Sequence, residues 1–339
     1  MSKKKNNPFK QIMAIRGMGG ALTAFVGLII IYCVFGLINN TVFTGQNMMN
    51  LLRSMSKYLL IGIAQSYVLI TGNIDLSIGS VAGMSAMIAA TLMALGVNPW
   101  VAVLVTLVCS LAVGVVNGIL VGKFKLPPFI ATLGTMFVAR GVAYMVNGNR
   151  NTDAIATGIG KEAADTFQDL FYYGTTFGIY NTFLIAMVVF VIFFFLLSKT
   201  RTGRHIYAIG SNVDAAKLSG VSVVATTTKA YLVSAVCSCV VGLILCAQAG
   251  MGNMEAGNMY EMYGVAAGVI GGVSPLGGTG ILLGTLAGAA VWQTLENGLN
   301  MVGAQVGIQR IVIGIIVVVA VLLDVVVRTG QLSKKKKGN

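Results

Sequence analysis

Ten stretches of this chain are apolar enough to stand out as separate segments: roughly 19–38, 57–72, 76–96, 99–122, 127–147, 181–198, 228–249, 262–274, 279–299 and 309–327. Most approach the ~20 residues that a helix needs to cross the hydrocarbon of a bilayer. The second and eighth are short for a full crossing. Backbone N–H and C=O groups cannot be left bare in lipid, so apolar runs of this length are satisfied there as helices. The pattern predicts an all-α integral membrane protein, a polytopic bundle of about ten transmembrane helices, some short or broken. A transmembrane domain over 19–327 is flanked by tails at 1–18 and 328–339, and its longest connections are 148–180 and 199–227. Ahead of the second segment, 47–57 (NMMNLLRSMSK) reads as a short amphipathic stretch with Met48, Met49, Leu52 and Met55 turned to lipid or protein. A plain connector fits equally.

Composition removes the soluble alternatives. Of 339 residues, 56% are hydrophobic and 10% charged, against about 25% charged in a soluble domain. The net charge of +13 does not point to nucleic acid, because of where it falls. Basic residues cluster at Lys3, Lys4, Lys5, Lys10 and Arg16; at Lys123 and Lys125; at Lys199, Arg201, Arg204, Lys217 and Lys229; and at Arg328 and Lys334 to Lys337. Clusters beside apolar segments mark loops held on the cytoplasmic side. An even count of spans with two basic tails places both termini there, in a bacterial inner membrane. Loop 148–180, with Asp153, Glu162, Asp165 and Asp169 against Arg150 and Lys161, then falls outside, as does 250–261 with Glu255 and Glu261. The first segment, about 20 residues long, reads as a retained span rather than a cleaved leader.

Glycine refines the picture, with 43 residues. Gly264, Gly268 and Gly272 recur every four positions, and Gly280, Gly284 and Gly288 do the same, so each set forms a smooth ridge for close helix packing. The breaker-rich turn 274–280 between them completes a tight helical hairpin. Gly79–Gly83 (GSVAG) faintly echoes Gly284–Gly288 (GTLAG). The G-x-x-x-x-G-K-[ST] phosphate loop does not occur, so no ATP site is expected in the chain. The five cysteines lie in apolar runs without metal-ligand or disulfide spacing. No catalytic residue, cofactor site or metal site is expected.

Charges in apolar segments are costly and mark candidate functional positions. Asp75 lies between the second and third segments, where it serves either as a helix cap or in the substrate or gating path. Arg140 lies inside the fifth and calls for a carboxylate partner, with Glu296 or Asp324 the options, or for a wet cavity. In loop 199–227, Asn212 or Asp214 can cap a short helix that Gly220 ends, forming a basic element suited to a soluble partner.

Several motifs carry a resemblance. Asp214-Ala215-Ala216-x-x-x-Gly220 is similar to the E-A-A-x-x-x-G coupling motif of ABC importer permeases, and the preceding T-R-x-G-R-x-I-Y-A-I-G-x-N narrows the match. Further matches are T-G-N-I-D-L-S-I-G-S from Thr71, P-F-I-A-T-L-G-T from Pro128, Arg140-Gly141, and A-A-G-V-I-G-G-V-S-x-x-G-G-x-G from Ala266. The chain thus resembles the ribose/galactose-type (monosaccharide) permease subunits of bacterial ABC importers, in order from about residue 45 to 325. The resemblance implies a homodimer with the path along the subunit interface. It also implies a cytoplasmic ATPase that binds ATP and Mg, an extracytoplasmic sugar-binding protein, and a monosaccharide substrate. It assigns ATPase coupling to Arg201, Gly203, Arg204, Tyr207, Gly210, Asn212, Asp214, Ala215, Ala216, Leu218, Ser219 and Gly220. It assigns the path or its gating to Asn73, Asp75, Ser77, Phe129, Thr132, Thr135, Arg140, Glu261 and Ser274. Where the family has Glu-Leu-Asp-Ala, this chain has Glu261-Met262-Tyr263-Gly264, which leaves the sugar open. A permease of the same superfamily for nucleosides, autoinducer-type sugars or branched-chain amino acids is the alternative. A secondary transporter would need ion-coupling carboxylates near the midplane.

Overall fold

The computed structural model describes residues 18–312 together with 314, 315, 318, 319 and 322. The tails, apart from Met18, most of the tenth predicted segment and Asp324 lie outside the described residues. Nine of the ten segments appear as helices: α1 (Met18–Ile38), α2 (Gly45–Ile70), α3 (Ile78–Ala94), α4 (Pro99–Gly122), α5 (Pro128–Met145), α8 (Asn181–Lys199), α11 (Val223–Ala249), α12 (Tyr260–Ile270) and α13 (Leu282–Met301). Between α5 and α8 lie the short helices α6 (Ile155–Ile159) and α7 (Lys161–Gln168), a π turn at Asp169–Tyr173, and a two-residue hairpin pairing Thr175–Thr176 with Ile179–Tyr180. Between α8 and α11 lie α9 (Arg201–Ser211) and α10 (Val213–Leu218). Among the described residues, α1, α4, α5, α8 and α11 are long and apolar enough to cross a membrane by themselves.

Burial divides these helices into two shells. All twelve residues from Leu59 to Ile70 of α2 are buried, as are all fourteen from Ile78 to Thr91 of α3. With α11, which packs on α2, α3 and α4, they form the centre. The centre is shielded from lipid, so its helices can carry Gln65, Ser66, Ser80 and Ser85 at no cost in lipid solvation. The outer helices α1, α4, α5 and α8 meet the surroundings with Phe25, Leu104, Phe137 and Phe195. This resolves the short second segment. Thr44 caps α2 by accepting from Asn47 N at 3.3 Å, and no proline interrupts the helix from Gly45 to Ile70. The stretch 47–57 is therefore part of the span, neither a separate interfacial segment nor a connector. Its Asn47, Leu51 and Met55 face the protein interior.

The glycine hairpin forms, with different contacts from those the ridges predicted. The Gly264 and Gly268 face receives α2, at Ile61, Gln65 and Ser66. The α12–α13 contact is made by Gly271, absent from the ridge pattern, against Gly284, and by Gly288 against the Ala267 carbonyl. Gly272 and Gly280 lie beyond the helix ends with positive φ (84° and 137°), and Gly272 meets Gly20 of α1. α12 ends at Ile270 and α13 starts at Leu282, so the last glycine of the first set and the first glycine of the second serve the turn rather than the ridge. A side chain at Gly271 would strike the Gly284 backbone. Gly271→Val should lower the stability of the detergent-purified protein by about 1–3 kcal/mol, the range for overpacking. Gly134→Ala, where a Cβ meets open space, should leave the melting temperature unchanged in the same thermal gel-filtration assay.

Candidate functional site

Two sets of polar contacts are built into the bundle, and a two-helix element lies at its basic end. The first set centres on the α2–α3 turn. Asp75 is 3% exposed. Its Oδ1 accepts from Ser77 N at 2.9 Å and Ser77 Oγ at 2.6 Å, and its Oδ2 accepts from Ser234 Oγ of α11 at 2.6 Å. Asn117 of α4 donates to Ser77 Oγ at 3.0 Å and accepts from Thr135 of α5 at 2.7 Å. Thr135 also reaches the Thr132 carbonyl, and Tyr231 Oη donates to the Ile74 carbonyl at 3.1 Å. Four elements are thus joined through one carboxylate and its neighbours. Ser77, not Asp75, is the residue at the α3 N-cap position, and no side chain caps there. Asp75 holds the turn to α11, rather than capping α3 as one of the two readings of the sequence had it.

The second set answers the question of Arg140. Its Nη1 donates to the carbonyls of Met254 and Ala256, at 2.9 and 2.8 Å. Glu296, one candidate partner, instead accepts from Tyr58 Oη at 2.6 Å, beside Tyr263 and Trp292. Glu261 opens α12 next to Gly79 of α3. Phe129 projects from the outer surface of α5 at 55% exposure, away from the buried network.

The basic-end loop forms two helices where one was expected. Thr200 caps α9, accepting from Gly203 N at 3.4 Å. Asn212 caps α10, accepting from Ala215 N at 2.9 Å, while Asp214 occupies the first turn. Gly220 (φ 80°) ends α10, and Val221 N reaches back to the Ala216 carbonyl at 3.0 Å, a glycine stop of the usual left-handed kind. The coupling candidates then separate by direction. Gly203, Tyr207, Gly210 and Ala216 face the bundle. Arg201, Arg204, Asn212, Asp214, Ala215, Leu218, Ser219 and Gly220 are exposed, Leu218 at 90%. Tyr207 Oη donates to the Gly280 carbonyl at 2.6 Å, and burial pushes its phenol up to about 12, so it remains a donor at physiological pH. Gly210 lies flush against Ile70 and Gly278, and Gly278 N donates to the Ile70 carbonyl at 2.8 Å. Ser274, fully buried, shapes that turn by accepting from Leu276 N at 3.2 Å. Asn73 donates to Thr71 and lines a cavity of about 540 Å³ with Lys123, Lys125 and Lys217.

Of these two capped helices, α9 rests on the end of α2 and on the 271–281 turn, and α10 packs on α9 and α11. Residues 47–321 match the model of the family described as branched-chain amino acid transport system / permease component. The chain belongs to this permease family. Among relatives, the ribose import permease protein RbsC of Bacillus subtilis (strain 168) is 36% identical over 308 residues, 91% of this chain and 94% of the relative. RbsC of Escherichia coli (strain K12) is 34% identical, covering 89% of this chain and 92% of its own. The D-allose transport system permease protein AlsC of E. coli (strain K12) is 32% identical, covering 88% and 90%. No solved structure matches.

Within this permease, several polar residues escaped the sequence reading. Asn117, Ser234 and Tyr231 complete the Asp75 network, and Gln65 is fully buried in α2 with both amide atoms unpartnered by protein. Asn117 and Gln65 carried a usable signal, a lone amide in an apolar run. Serine in a membrane helix carries none, since its hydroxyl commonly bonds the preceding turn, as Ser238 does with Ser234. Asp75→Ala would leave Ser77 N and the Ser234 hydroxyl without their acceptor. The expected loss is about 1–3 kcal/mol for each buried donor stranded. Asp75→Asn keeps one oxygen for Ser77 and can donate to Ser234 Oγ, so it should melt close to the parent. Thermal unfolding of the two variants in detergent checks this.

Proposed function

We propose that this permease is the membrane-spanning subunit of a bacterial ABC importer that carries a monosaccharide of the ribose type. It works as a homodimer, takes sugar from an extracytoplasmic binding protein and is driven by a separate cytoplasmic ATPase, which holds the ATP and Mg. The basic end of the bundle faces the cytoplasm, as do both termini. The printed functions of the relatives, ribose and D-allose import, support the substrate class. The absence of a phosphate-loop motif supports an external engine.

The observation that carries the reading is the seating of α9 and α10. The inner face of α9 is locked to the end of α2 and to the 271–281 turn by Tyr207 and Gly210, α10 packs against α9 and α11, and Leu218 and the charged side chains are presented outward. A push on the outer face is therefore delivered to the central helix and to the α12–α13 hairpin together. The path is assigned to the outward flank of α5. Gly134 and Gly141 leave open space there, and beside it, in the outer turns, Arg140 and Tyr144 reach across to residues 254–256. A guanidinium on the rim of a bundle is poorly placed against lipid and well placed against water or a second copy of the chain.

Substitution at Leu218 tests this without disturbing the fold, because that side chain touches little within the subunit. Leu218→Asp should leave membrane insertion and melting unchanged. It should reduce ATP-driven ribose uptake in reconstituted vesicles by about tenfold or more, the loss expected when an apolar contact at a docking centre is removed. Full uptake by this variant would refute the docking role. Uptake by the purified chain with no ATPase present would refute the importer assignment.

A further inference from the structure

The transport reading makes no use of the segment between α11 and α12, which is folded in an unusual way. Arg140 lies about three turns into α5, and its two hydrogen bonds end on the backbone of this segment, at Met254 and Ala256. One turn further on, Tyr144 Oη donates to Glu255 Oε1 at 2.6 Å. The opposite side is tied to the acidic-end loop. Thr152 N donates to the Gly252 carbonyl at 3.0 Å, Gly252 N to Thr152 Oγ1 at 2.8 Å, and Met254 N to Asn151 Oδ1 at 3.0 Å. Beneath it, Gly79 and Gly83 of α3 lie so close to the Gly257 and Ala256 backbone that a side chain at either would collide. The segment is thus a strip of irregular backbone laid flush on the central helix and gripped from the α5 side by one guanidinium.

Carbonyl acceptors make this grip different from an ion pair. A carboxylate partner would hold Arg140 by charge wherever the backbone went, whereas two carbonyls satisfy it only while the strip lies in this position. The guanidinium then has two ways to be solvated, by the strip when it is seated and by water when it is lifted. The contact lies on the α5 flank assigned to the path, at its outer end.

We propose that residues 250–259 form the outer closure of the translocation path and that Arg140 is the positioning residue that holds it shut. This rests on the importer reading for the existence of a path, but its first test does not depend on the substrate or the partners. The five native cysteines are replaced, Ala256→Cys is introduced, and the intact chain in cells is labelled from outside with a membrane-impermeant maleimide. Adding Arg140→Gln should raise the labelling rate about tenfold, as expected when charge-assisted bonds holding a local closure are lost. Arg140→Lys, which can still donate to a carbonyl, should restore most of the protection. Tyr144→Phe, which removes only the flanking bond, should raise the rate by a smaller factor and carries the test if the glutamine variant fails to fold. Equal rates with and without the grip would overturn the proposal.

A second readout separates a gate from a static staple. In vesicles holding the Ala256→Cys chain with its ATPase, ATP should accelerate labelling at position 256 in the Arg140 background and have little further effect in the Arg140→Gln background. A rate that ignores ATP in the Arg140 background would sink the gate while leaving ribose uptake, and with it the importer reading, untouched. Loss of uptake for every sugar alongside ATP-responsive labelling would do the reverse.

Discussion

Broken helices in a membrane protein expose backbone that lipid cannot solvate, and the architecture of this permease follows from how those breaks are satisfied. Three interruptions lie between central elements: the α2–α3 turn, the strip between α11 and α12, and the α12–α13 turn. Each unmet buried backbone group costs several kcal/mol, so each break has been given partners drawn from other helices. Tyr231 serves the Ile74 carbonyl, Arg140 serves those of Met254 and Ala256, and Tyr207 serves that of Gly280. The Ile70 carbonyl, freed at the end of α2, accepts from Gly278 N in the third break.

These partners also connect the ends of the molecule. The basic-end helix α9 touches the first and third breaks, and the Asp75 network joins the first break to α4, α5 and α11. The helix α5 carries Thr135 of that network on one turn and Arg140 beyond it. A displacement of α9 therefore meets hydrogen-bonded joints before it meets the strip at the other end. Close backbone packing contributes as much as hydrogen bonding. The sequence echo between Gly79–Gly83 and Gly284–Gly288 reflects a shared task, because each set opens a helix and receives the backbone of an irregular segment or hairpin partner.

Much of this was legible in the chain itself. The ten apolar segments marked where helices form, and nine are helices in the described residues. Asn212 and Gly220 marked the limits of α10, since an amide cap and a left-handed glycine are local requirements readable from residue type. Asp75, Ser77 and Thr135, which the resemblance assigned to one set, meet in one network.

What the sequence by itself determined was the set of properties that depend on neighbours along the chain: which stretches are helical, where they are capped, which residue types are too polar for lipid. What only the tertiary structure decided was which groups meet across helices. The sequence offered Arg140 a carboxylate, Glu296 or Asp324, or a wet cavity, whereas the packing of α5 and the strip against α3 gave it two carbonyls, and Gly271 entered the hairpin although it breaks the glycine repeat. The reason is physical. Periodicity reports which face of a helix is small or polar, while the partner of that face depends on the relative rotation and depth of helices far apart in sequence, and a single chain does not encode these in any local pattern.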